Sequence, residues 1–127
     1  MITISQIQGV KKVLGMHVYG ELYGCDVEKL MDEKYLVEVV KNASKIGGFT
    51  LLDVHAWKIS PGVSVVGVVL ESHITIHTWP ELAFATVDVY TCGSRPDPVK
   101  AFKYIAEALG AKRATMNVAR RDYVEKK

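Results

Sequence analysis

The sequence predicts an α+β fold, a two-layer sandwich of a mainly antiparallel β-sheet with two helices on one face. Three observations carry that expectation. Apolar, β-branched segments follow one another across short Gly and Pro breaks, which favours antiparallel pairing. Only two stretches show helical apolar spacing, enough to cover one face of such a sheet. The chain has 127 residues, 49% of them hydrophobic and 24% charged, the size and composition of one soluble domain spanning 1–127.

The elements are expected in the order β-α-β-β-β-β-α-β. The first dozen residues and the last few are expected to be loosely held. A strand from Val13 to Glu21 leads into Gly24-Cys25-Asp26, a turn ending in a helix N-cap. The helix is expected to run to about Ile46, with Leu36, Val39, Val40 and Ala43 on its apolar face. Gly47-Gly48 stops it, because glycine tolerates the left-handed conformation that ends helices. Strands follow at Phe49 to Trp57, Val63 to Leu70, His73 to Thr78 and Phe84 to Tyr90, broken at Ser60-Pro61-Gly62 and Trp79-Pro80-Glu81. Asp97-Pro98 opens the second helix, an N-cap with proline at N1. Phe102, Ile105, Ala106 and Leu109 form its buried face, and Gly110 ends it. A last strand, Ala114 to Val118, precedes a basic tail. Along Phe84 to Tyr90, alternation puts Ala85, Val87 and Val89 toward the helices. Phe84, Thr86, Asp88 and Tyr90 share the other face, a mixed surface that suits a pocket or a second copy of the chain more than open water.

Charge and cysteine content exclude several function classes. The net charge is +2, from 16 Lys+Arg against 14 Asp+Glu, which argues against nucleic-acid binding by bulk charge. No apolar stretch approaches the ~20 residues needed to span a bilayer. The start, Met1-Ile2-Thr3-Ile4-Ser5-Gln6, lacks the features of a signal peptide, so a cytoplasmic protein is expected. Two cysteines, Cys25 and Cys92, without C-x-x-C make a structural zinc site unsupported. His73 and His77 stand i, i+4, a metal-binding spacing on a helix but not on the strand expected here, so no metal is expected.

The densest polar chemistry runs from Glu71 to Glu81, in Glu71-Ser72-His73-Ile74-Thr75-Ile76-His77-Thr78-Trp79-Pro80-Glu81. Two histidines, a serine and two carboxylates interrupt an otherwise apolar region, where such groups are costly to bury without partners. No G-x-S-x-G elbow accompanies the serine, so a serine hydrolase lacks support.

This segment, followed by Asp88-x-Tyr90-Thr91-Cys92-Gly93, resembles the prokaryotic S-adenosylmethionine decarboxylase proenzymes of the short, metal-independent class. Gly20-Glu21-Leu22-Tyr23-Gly24-Cys25-Asp26 and Gly62-Val63-Ser64 extend the likeness from about Gly15 to Arg121. The resemblance implies a pyruvoyl cofactor made from Ser72. The Ser72 hydroxyl would attack the Glu71 carbonyl to give an ester. β-Elimination would then cut the chain into a β chain, 1–71, and an α chain, 72–127, that begins with the pyruvoyl group. Ser64 would stabilise the oxyanion and His77 would move the proton, a task that suits histidine. In the decarboxylation the substrate amine would form a Schiff base with the pyruvoyl carbonyl, the electron sink that pyridoxal phosphate supplies elsewhere. Cys92 would return the proton to the substrate carbon. Glu81 would bind the ribose hydroxyls and Trp57 would stack on the adenine. Cys25 is read as a small buried hydrophobe. Family members form dimers of αβ units with composite sites, so a homodimer is implied.

Ser72 and His77 differ in strand parity and would point to opposite faces. A bulge or turn near Ser72, or pairing across a dimer, would bring them to one site. Two other readings stay open. Some archaeal relatives with this motif decarboxylate arginine, for which Glu81 or Asp88 would face the guanidinium. A non-catalytic binding module would use the basic tail of Lys112, Arg113, Arg120, Arg121, Lys126 and Lys127.

Overall fold

The computed structural model describes residues 12–125. The loosely held N-terminal stretch expected from the sequence, apart from Lys12, lies outside the described residues. The first elements are β1 (Lys12–Val13), β2 (Gly15–Tyr23), α1 (Val27–Met31), α2 (Glu33–Gly47), β3 (Leu51–Ile59) and β4 (Gly62–Val69). They are followed by β5 (Ser72–Trp79), β6 (Phe84–Cys92), α3 (Pro98–Ala108), β7 (Arg113–Ala114), β8 (Asn117–Arg120) and β9 (Tyr123–Val124). A 3-10 turn at Pro80–Leu82 joins β5 to β6. The main sheet has the order β3-β4-β5-β6-β2-β7, with β8 also paired to β2, and each of these pairings is antiparallel. β1 and β9 form a separate two-stranded clip.

The helices cover one face, as the sequence predicts. α2 and α3 pack against each other, α2 on β3 and β4 and α3 on β6 and β2. Between the layers lie Val18, Leu22, Leu36, Val40, Ile74, Ile76, Val89, Phe102 and Ile105 among others. Alternation holds along β6: Ala85, Val87 and Val89 are buried, while Phe84, Thr86, Asp88 and Tyr90 are half-buried on the open face.

Several elements differ from expectation. The first strand runs Gly15–Tyr23 and leaves Val13 in β1. The first helix is not continuous from Asp26 to Ile46. It breaks at Asp32, whose backbone is extended at φ −96° and ψ 99°. Asp26 caps α1 through the amides of Glu28 and Lys29. Asp32 caps α2 by accepting from the Tyr35 amide at 3.0 Å. A second cap in mid-stretch lets the chain change direction, because its side chain replaces the hydrogen bonds that the break removes. At the other end Gly48 takes φ 76°, and its N–H reaches Lys45 O. The strand expected from Phe49 therefore starts two residues later, with the Phe49 amide donating to Ser44 O at 2.8 Å.

The last strand, expected at Ala114 to Val118, is two short strands. Thr115 interrupts them by turning its hydroxyl inward to bond Glu21 Oε1 at 2.6 Å and to accept from the Glu21 amide at 3.1 Å. A Cβ at Gly20 would meet Thr115 O at 1.8 Å, so only glycine fits there.

Candidate active site

The residues singled out by sequence fall in two groups on the sheet. The first lies at the β4–β5 turn. Leu70 N bonds Thr50 O at 2.8 Å, and the Glu71 carboxylate accepts from the Thr50 amide at 3.1 Å. These two bonds fix the turn against the start of β3. The Glu71 carbonyl oxygen accepts both from the Cys92 amide, at 3.1 Å, and from the Cys92 thiol, at 3.1 Å. Ser72 follows with φ 157°, a conformation L residues rarely adopt. It stands in register with Val69 on β4 and Thr91 on β6. The Glu71 side of the Glu71–Ser72 bond is thus held twice, by its side chain and by its pinned carbonyl.

The second group lies at the other end of β5. Ser64 and His77 are direct cross-strand partners, and Ser64 Oγ lies 2.8 Å from His77 Nδ1. Their row continues to Trp57 on β3 and to Thr86 and Glu21 on β6 and β2. Trp57 is 50% exposed and stacks near His55, with ring centroids 4.4 Å apart. A cavity of about 290 Å³ opens beside the pair and is lined by Ser60, Ser64, His77, Trp79 and Glu81 among others. Trp57 is not among its lining residues. Under the cavity floor, Thr78 Oγ1 accepts from the Val63 amide at 2.9 Å and donates to Leu30 O at 2.8 Å. That buried hydroxyl ties α1 to the strands that present Ser64 and His77.

The two groups do not meet within one chain. Ser72 and His77 are five residues apart on an extended strand, about 16 Å at the usual rise of a strand. A bulge does not rescue them: β5 keeps unbroken register with both β4 and β6 from Ser72 to His77. Of the expected residues, Glu71, Ser72 and Cys92 come together, and Ser64, His77, Trp57 and Glu81 form a separate group.

With this geometry in place, the sequence profile described as S-adenosylmethionine decarboxylase matches residues 16–122. The chain belongs to the S-adenosylmethionine decarboxylase family. It is 64% identical over 110 residues to an S-adenosylmethionine decarboxylase proenzyme of Sulfurisphaera tokodaii, covering 87% of this chain and 90% of that one. An arginine decarboxylase proenzyme of Pyrobaculum arsenaticum is 50% identical over 123 residues, covering 94% and 92%. The crystal structure of the Aquifex aeolicus adenosylmethionine decarboxylase superposes with a TM-score of 0.83 at 37% identity, covering 91% of this chain and 96% of that one.

Between the two groups, on this family fold, lies a cluster that sequence reasoning did not assemble. His17 Nε2 lies 2.9 Å from Asp88 Oδ1. The Tyr90 ring is 5.7 Å from that of His73 and 5.8 Å from that of His17, and the Arg121 guanidinium sits over it at 4.6 Å. Strand parity gave Asp88 and Tyr90 one face. Their partners come from β2 and the C-terminal segment, and a single sequence carries no signal for that pairing. Burial lowers the His73 pKa most; the nearby His17 and Arg121 lower it further, against an opposing pull from Asp88. Cys25 is buried, and burial raises its thiol pKa, in keeping with a packing role. Among the described residues no group of three or more His, Cys, Asp or Glu side chains could hold a metal ion. No helix of the described residues is long and apolar enough to cross a membrane.

Proposed function

We propose that the chain is a self-processing, pyruvoyl-dependent decarboxylase, cut between Glu71 and Ser72. Its proposed substrate is S-adenosylmethionine, and its product the decarboxylated aminopropyl donor of polyamine synthesis in the cytoplasm. The observation that carries the reading is the doubly held Glu71 carbonyl. When the Ser72 hydroxyl attacks that carbon, electron density moves onto an oxygen already facing the Cys92 N–H and S–H, donors placed where charge develops. The leaving Ser72 nitrogen takes a proton and becomes an amine. Removal of the Ser72 α-proton then expels the Glu71 carboxylate and ends the first chain. The dehydroalanine left at residue 72 takes up water and releases ammonia. Residue 72 begins β5 beside the Cys92 thiol, so the residues present fit a pyruvoyl group at that point. Such a group supplies a ketone that condenses with the substrate amine and accepts the electron pair freed as CO2 leaves. The Cys92 thiol then delivers the proton to the substrate carbon.

Ser64 and His77 serve this chemistry from a second copy. A twofold axis lying between two open faces and running across the strands sets the Ser72 end of one copy against the His77 end of the other. Tyr19, Trp57, Trp79 and Phe84 supply the aromatic surface that such a homodimer buries, and open-face aromatic area of this kind marks an interaction surface. In that arrangement the cavity beside Glu81 receives the far end of the substrate, with Glu81 on the ribose hydroxyls and Trp57 against the adenine.

A specific observation favours arginine as a second reading, the half-identical arginine decarboxylase relative. Glu81 would then face a guanidinium. The deciding experiment is an intact mass spectrum of the purified protein, followed by CO2 release from each substrate. Masses for 1–71 and 72–127 of the 127 residues, the second lighter by one ammonia than a serine start, are expected, with release from S-adenosylmethionine. Release from arginine alone reassigns the substrate. A single uncut mass after long warm incubation overturns the processing scheme and leaves the non-catalytic binding module.

A further inference from the structure

His73 has no role in the processing chemistry, yet it directly follows Ser72 on the open face. Its cross-strand partner is Tyr90. Cys92 lies two residues beyond Tyr90 on the same face, so His73 and Cys92 are diagonal neighbours with Cα atoms about 7–8 Å apart. Residue 72 is in register with Thr91, between them. Within one chain His77 is engaged with Ser64 at 2.8 Å at the far end of the strand, so His73 is the imidazole that the chain itself places beside residue 72. We propose that the His73 imidazole takes the proton from the substrate's ammonium group, so that the amine meets residue 72 with its lone pair free.

The step rests on the proposed pyruvoyl chemistry. An α-amino acid arrives largely as the ammonium ion, which has no lone pair to offer a carbonyl. The proton moves from the substrate nitrogen to a ring nitrogen of His73; the amine becomes neutral and the ring cationic, with no oxidation or reduction. The surroundings keep the ring ready to accept. His17 faces it from β2, Asp88 and Tyr90 from β6, Arg121 from beyond β8, and the apolar Val68 from β4. Burial, His17 and Arg121 all disfavour the charged ring, and Asp88 alone opposes them. His73 is therefore neutral at neutral pH and loses its basic form only as pH falls below the ordinary histidine value of ~6.5.

The test uses the cut wild-type protein with His73→Gln and Arg121→Gln. Imidazole NMR follows the His73 titration directly. In parallel, each protein is mixed rapidly with S-adenosylmethionine and quenched in borohydride, and the substrate mass fixed on the 72–127 chain is followed with time. His73 is expected to titrate below ~6.5, with the acid limb of adduct formation at the same pH. Arg121→Gln removes a cation that lowers that pKa, so both are expected to move to higher pH together. In His73→Gln the rate at pH 7 is expected to fall about 100-fold and to recover as rising pH frees the amine. Wild-type rate and pH profile in His73→Gln overturn the proposal. So does an acid limb that ignores Arg121→Gln while the NMR titration moves, an arm that decides the matter even if His73→Gln stays uncut. A wild-type chain that never cuts sinks the parent reading as well, whereas a cut chain with unchanged His73→Gln kinetics sinks this inference alone.

Discussion

At the scale of single residues, Cys92 holds the Glu71 carbonyl with its amide as well as its thiol. The two donors separate by mutation. Cys92→Ala keeps the amide, so the chain should still be cut, while decarboxylation should fall by about 10²–10⁴-fold for want of the proposed proton donor. Gel separation of the two chains and CO2 release measure the two effects independently. Ser72→Ala removes the attacking hydroxyl and should leave one uncut, inactive chain. Two chains in that variant would refute the ester route. Sequence reading singled out Ser72, His77 and Cys92 because they sit in one unusual motif and its continuation. The His17–Asp88 contact was not, because it joins strands 71 residues apart in the chain. Nothing local to either residue encodes the register that brings them together.

At the scale of elements, hydrophobic periodicity located the helices and strands, and cap chemistry located most ends. The break at Asp32 escaped because the helical apolar face of Leu36, Val39, Val40 and Ala43 lies wholly beyond it, while an aspartate reads equally as a surface residue. Its effect is positional. α1 turns so that Leu30 O meets the Thr78 hydroxyl, which also receives the Val63 amide. Thr78 is 6% exposed, so water cannot replace that hydroxyl easily. Thr78→Val preserves shape and leaves two buried polar groups unpaired. The expected loss is about 2 kcal/mol, read as a lower denaturation midpoint with unchanged slope. A midpoint equal to wild type would mean that α1 does not depend on this bridge. The split C-terminal strand escaped for a similar reason: Thr115 suits a strand by propensity, and its bonds to Glu21 and close approach to Gly20 are long-range contacts.

At the scale of the whole molecule, the separation of the two groups on one rigid sheet decides how a site could form. A regular strand cannot shorten, so about 16 Å between Ser72 and His77 closes only if the two residues come from different copies. That geometry makes a prediction that no single-chain site shares. Ser72→Ala and His77→Gln are each expected to leave the protein uncut when produced alone. In a mixed dimer one composite site carries both lesions and the other carries neither, because it joins Ser72 of the His77→Gln chain to His77 of the Ser72→Ala chain. Random pairing makes half of the dimers mixed, each with one intact site, so coexpression should restore about a quarter of wild-type activity. The cut fragments should come from the His77→Gln chain alone, which a mass tag on either chain reveals. If the site were built within one chain, both chains would stay whole and activity would stay absent. Coexpression therefore tests both the face-to-face pairing and the assignment of His77 to the partner's Ser72.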